Sequence, residues 1–161
     1  MKKILSALVL STILFSFTSF QPNFTGTWKL NESKSDLGQF GARGAASKIV
    51  IDQKADAISI TKTAASFDGG ETTNTETLLF SGAESETTVF GSAKKKSILK
   101  WSADGNTMTV SYGIAIERNG QSFDLKGTES WALSADGKTI TISTAMTTPQ
   151  GELNTKAVYE K

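Results

Sequence analysis

The sequence predicts an all-β protein, an antiparallel up-and-down meander of about eight to ten strands that closes into a barrel. Three observations carry that prediction. Beyond Pro22, no stretch keeps apolar residues at helical spacing for three turns, whereas apolar residues alternate throughout with Thr, Ser or Lys, the period of a strand. Asp-Gly and Asn-Gly pairs punctuate these runs, and each such pair marks a hairpin. The hairpins also agree on which face is apolar.

That agreement follows from register, because a one-residue slip would turn every side chain over. The strings Trp101 to Ser111 and Leu133 to Ser143 echo each other around Ser-Ala-Asp-Gly, where Asp-Gly predicts a two-residue type I′ turn with both central residues at positive φ. Asn119-Gly120 supplies a third turn, and Thr148-Pro149-Gln150-Gly151 a fourth with Pro at its second position. The first turn sets Trp101 opposite Met108 and Leu99 opposite Val110. The second sets Met108 opposite Trp131, Tyr112 opposite Gly127, Ile114 opposite Leu125 and Ile116 opposite Phe123. The third sets Leu133 opposite Ile140 and Trp131 opposite Ile142, and the fourth Met146 opposite Leu153 and Ile142 opposite Ala157. One apolar face therefore runs across five strands, and Thr, Ser, Asp and Lys fill the other. With no helix to cover that face, the sheet must close on itself or meet a second sheet.

The N-terminal half reads as strands at Gly26 to Leu30, Lys48 to Gln53, Ala57 to Lys62, Thr72 to Phe80 and Glu86 to Phe90. Between the first two, Asn31 to Ala46 lacks alternation and reads as a loop with one short helical turn near Glu32 to Asp36. Its glycines, Gly38 to Gly44, read as a lid or linker. Lys94-Lys95-Lys96 reads as a solvated loop or a protected sheet edge.

Ahead of these strands, Lys2 and Lys3 precede an uncharged run from Ile4 to Phe20, the layout of a cleaved secretory signal. Residues 1–21 are thus expected to be removed and residues 22–161 to form a single domain, periplasmic or secreted, with no transmembrane anchor in the mature chain. Of the 17 Lys and Arg, two precede the expected cleavage, which leaves 15 against 16 Asp and Glu and a net charge of −1. Such a balance does not make a nucleic-acid surface. With no Cys there are no disulfides, thiol nucleophile, thiolate metal site or lipidated cysteine. With no His, the usual general base, zinc ligand and haem ligand are missing as well, so neither metal nor cofactor is expected.

The opening of the mature chain, Phe24-Thr25-Gly26-Thr27-Trp28-Lys29-Leu30-Asn31, resembles that of lipocalin-like proteins, and the string through Lys34-Ser35 is similar to small exported bacterial proteins of that calycin type. The resemblance implies that Gly26 and Trp28 begin the first strand and that the tryptophan plugs the closed end of the barrel. No Thr-Asp-Tyr motif accompanies it.

Trp101 and Trp131 fall in one row near the Asp-Gly turns and read as part of that plug, with ligand stacking as the other reading. The opposite half of the apolar face then offers Tyr112, Ile114, Ile116, Phe123, Leu125, Met146 and Leu153. These either line a cavity for a small hydrophobic or amphipathic ligand or fill a solid core. Gly127, facing Tyr112, leaves space unless the ring covers it. In this register Glu129 is the one charged residue turned inward, opposite Val110 and Thr144, with Arg118 at the far end of its face. Its carboxylate either meets a ligand or is held by Thr144, Thr155 or a tryptophan N–H. The expected function is an exported binding protein with no enzymatic activity. The alternative is a module with a solid core that docks a protein or an envelope polymer. A His-free activity would have to rest on Glu129 with Tyr112.

Overall fold

The computed structural model describes residues 21–66, 69–118, 120–149 and 151–161. The expected leader up to residue 20, the turn residues Asn119 and Gln150, Asp68 and the Arg118 side chain lie outside the described residues. Ten strands follow one another: β1 Gly26–Leu30, β2 Lys48–Gln53, β3 Ala57–Ala65, β4 Glu71–Leu79, β5 Ser85–Val89, β6 Ala93–Trp101, β7 Thr107–Arg118, β8 Gln121–Leu133, β9 Thr139–Thr148 and β10 Gly151–Glu160. They form one antiparallel sheet in the order β4-β3-β2-β1-β10-β9-β8-β7-β6-β5. Each strand pairs with its neighbour in sequence except at two places. β1 pairs with β10 through Lys29↔Glu160 and Leu30↔Tyr159, and the sheet ends at β4 and β5.

The result is a nearly closed barrel. Its open seam is bridged by side chains, with Glu76 of β4 accepting from Lys95 Nζ at 2.7 Å and from Ser97 Oγ, both on β6. Asn74 Nδ2 donates to the Thr88 carbonyl across the same seam at 2.7 Å.

Every cross-strand pair expected for β6 to β10 occurs, from Trp101↔Met108 to Ala157↔Ile142. Of the four turns that set this register, the two at Asp104-Gly105 and Asp136-Gly137 differ from expectation. Ser102 and Ser134 donate their N–H to Thr107 and Thr139, and the N–H of Gly105 and Gly137 returns to the Ser102 and Ser134 carbonyls at 2.9 Å. These are four-residue loops in which only the glycine has positive φ, at +72° and +69°. Within each loop the aspartate accepts from the serine hydroxyl at 2.5 and 2.6 Å and caps the N–H of Asn106 or Lys138 at 3.1 Å, which makes the two loops near copies. Lengthening a turn by one residue on each side keeps its midpoint, so the register is unchanged.

The N-terminal strands lie within a few residues of their expected positions, but Lys94-Lys95-Lys96 belongs to β6, not to a loop or a sheet edge. Between β1 and β2 the chain makes short 3-10 turns at Glu32–Lys34 and Gly38–Gly44. Asn31 caps the first through Oδ1, which accepts from Lys34 N at 3.2 Å, and its Nδ2 donates to Glu160 at 2.9 Å, tying the crossing to β10. Among the described residues no helix is long and apolar enough to cross a membrane.

Candidate functional site

Burial divides the barrel into two halves. At the end where β1 begins, Phe24, Trp28, Met108, Trp131 and Ile140 are buried, as are Ile49, Ile51, Ile58 and Leu99 around them. Phe24, which the sequence reading passed over, sits at the centre. Its ring lies 6.1 Å from Trp101 and meets Trp131 edge-on at 6.5 Å, and its carbonyl accepts from Trp28 Nε1 at 2.9 Å. Gly26, at φ +149°, leaves room for Lys161, whose ammonium lies 4.7 Å from the Trp28 ring.

The other half differs. Tyr112, Ile116, Phe123, Leu125, Met146 and Leu153 stand on the same inner face by register, yet each is only half-buried, and Ile114 alone is sealed. Each of these side chains therefore keeps some contact with solvent. Gly127 opens no space beside it. A Cβ there would stand 2.5 Å from Tyr112 Cζ and Oη, which means that the tyrosine ring already lies over the glycine.

Between the halves runs a belt of charge that the sequence reading largely missed. Glu129 is not the only inward charge. Lys62 of β3 donates to both its carboxylate oxygens, at 2.9 and 3.0 Å, and Trp131 Nε1 donates to Oε2 at 3.0 Å. A tryptophan N–H was among the expected partners, whereas Lys62 was not, and neither Thr144 nor Thr155 is needed. The second pair, Lys95 with Glu76, is buried at the seam. Lys95 was detectable, since counting back in twos from Leu99 passes through Ser97 to Lys95 on one face. Lys62 and Glu76 carry the same marker, on from Ile58 and Ile60 and back from Phe80 and Leu78, but their partners are distant in sequence.

The belt sets the protonation of its members. Burial pushes the Glu129 carboxyl up, but Lys62, Lys95 and the hydrogen bonds from Lys62 and Trp131 outweigh it and hold it below the ordinary carboxylate value. Burial first, then the charges of Glu129 and Glu76, push the Tyr112 phenol up, and Tyr159 is raised by burial and by Glu129. Glu129 is thus an ion-paired anion and Tyr112 a neutral phenol beneath the Lys95 ammonium, 4.7 Å from its ring. Among the described residues no cluster of His, Cys, Asp or Glu could hold a metal ion. On the outer face, a concave groove of about 670 Å³ crosses β6 to β10 over small residues such as Ser111, Gly113 and Ala145, along the row of Lys96, Lys126 and Glu152, and also touches Tyr112, Gly127 and Met146.

No family model and no curated protein matches the sequence. Among solved structures, the fold is similar to zebrafish ileal bile acid-binding protein, crystallised with cholic acid, at a TM-score of 0.56 and 18% identity, covering 86% of this chain and 98% of that one. The architecture is therefore a calycin-type β-barrel of ten strands, and at this identity the likeness extends to the fold alone.

Proposed function

We propose that the protein is an exported binding protein that holds a small amphipathic molecule in the half of the barrel beyond the charge belt. One observation carries this reading: the inward-facing Tyr112, Ile116, Phe123, Leu125, Met146 and Leu153 remain reachable by solvent, while Trp28, Met108, Trp131 and Ile140 around Phe24 are sealed. A mostly apolar chamber ending on a few placed polar groups is the usual form of a small-molecule site. In this reading Ile114 completes the apolar wall, Glu129 and its partners form the floor, and Gly26, Trp28, Trp101 and Trp131 plug the end beneath. The structural neighbour's cholic acid is amphipathic in the same sense. Catalysis is no part of the proposal, because Glu129 is neutralised by Lys62 and Tyr112 is held protonated. Export rests on the sequence ahead of Pro22.

Thermal unfolding with a panel of amphiphiles tests the proposal. A ligand at about a hundredfold excess over its Kd adds about 2.7 kcal/mol, which in a domain of this size is a rise of several degrees. If no amphiphile raises the transition, the interior reading is wrong, and the outer groove becomes the surface to examine for a macromolecular partner. Export is read separately, by N-terminal sequencing of the mature chain, expected to begin near residues 20–22.

A further inference from the structure

We infer that the ligand's polar end is uncharged, an alcohol or primary amide rather than an ionised acid or amine, because the charges at the floor of the chamber already balance. This inference rests on the chamber being the binding site. Two ammonium groups, Lys62 and Lys95, stand against two carboxylates, Glu129 and Glu76, and each cation is already bonded to an anion at 2.7 to 3.0 Å. The second pair is the more enclosed, with 10% and 9% of the side chains exposed, whereas Lys62 keeps 29% and Glu129 13%. The Lys62–Glu129 pair is therefore the one a ligand can touch.

What that pair accepts follows from its chemistry. The Lys62 ammonium has three N–H donors and directs its bonds to Glu129 at both oxygens, while those oxygens keep lone pairs beyond the ones taken by Lys62 and Trp131. A hydroxyl or amide can accept from the ammonium and donate to the carboxylate at once, without altering the charge balance. A ligand carboxylate can accept from Lys62 only by placing a second anion beside Glu129, and a ligand ammonium meets the mirror-image difficulty beside Lys62. In a half-buried site such like-charge contacts are only weakly screened. Above the floor, the described wall residues Ile114, Ile116, Phe123, Leu125, Met146 and Leu153 carry no charge to compensate either one.

The test is a matched series of twelve-carbon probes, 1-dodecanol, lauramide, laurate and dodecylamine, titrated at pH 7.5 while the tryptophan fluorescence is followed, since Trp131 bonds directly to Glu129. The alcohol and the amide are expected to bind at least about tenfold more tightly than the acid and the amine. Laurate or dodecylamine binding as tightly as dodecanol overturns the inference and leaves the chamber reading standing. Absence of binding by all four overturns both. In Glu129→Gln the uncompensated Lys62 should bring laurate above dodecanol. Should that variant not fold, Lys62→Gln with Glu129→Gln removes the pair together, and the gap between laurate and dodecanol should then narrow by about tenfold. A gap unchanged in the variant that folds places the selectivity elsewhere and sinks the inference.

Discussion

Replacing Gly127 by alanine measures how firmly Tyr112 is seated. The new Cβ would lie 2.5 Å from Tyr112 Cζ and Oη and 3.1 Å from Cε1, so the ring must retreat by about 1 Å to reach ordinary carbon contact. Overpacking of this kind costs about 1–3 kcal/mol. Alanine restricts the unfolded chain and returns about 0.5–1 kcal/mol, and no positive φ opposes it at this position. Moving the ring away from the Lys95 ammonium costs about a further 0.5 kcal/mol. The net is a loss of about 0.5–3 kcal/mol, a fall in Tm of about 2–10 °C for a domain of this size. Urea unfolding of Gly127→Ala, Tyr112→Ala and the double variant isolates the contact, because once the ring is gone the alanine should be neutral or slightly stabilising. An equal penalty with and without the Tyr112 ring, or a more stable single variant, refutes the placement of the ring over the glycine.

Two other perturbations follow from described features. The Glu129 carboxyl stands below its ordinary value of 4.5, so its stabilising contribution is complete above that pH and is lost as pH falls through the lower folded value. Urea midpoints measured downward from pH 5 should decline more steeply in the wild type than in Glu129→Gln, which is expected to be about 1–3 kcal/mol less stable at neutral pH because Lys62 loses a charged partner in a partly exposed pair, and parallel profiles would assign the acid sensitivity to another group. Phe90 is 71% exposed and holds φ at +51°, a conformation costing a side-chain-bearing residue about 1–2 kcal/mol. Phe90→Gly should gain about 1 kcal/mol by calorimetry, and a loss would show that the ring packs against something.

The C-terminal half was legible because several signals coincide there. Alternation named the inner face, and two Ser-Ala-Asp-Gly loops and two further turns fixed the pairing, even though the loops are longer than expected. Symmetric loops forgive an error in turn type, since register depends on the midpoint alone. The candidate wall residues were readable for the same reason, from Tyr112 to Leu153. The pairing within the charge belt was not. Lys62 reaches Glu129 across 67 positions of sequence and Glu76 reaches Lys95 across 19, joining strands that do not pair with each other. Period-two patterning says which face a residue occupies and is silent about what it meets across a barrel. Phe24 escaped because it precedes β1, where no alternation is available to orient it.

The closure between β1 and β10 sets one condition on how the chain assembles. Every other ladder joins strands adjacent in sequence and can form as a local hairpin, but Asn31 and Glu160 are 129 positions apart. Bringing such distant segments together costs about 4 kcal/mol of loop entropy. That cost falls on a short ladder and on the Asn31, Lys34 and Asp36 contacts to β10 beside it, the one place where backbone pairing joins the two ends of the described chain.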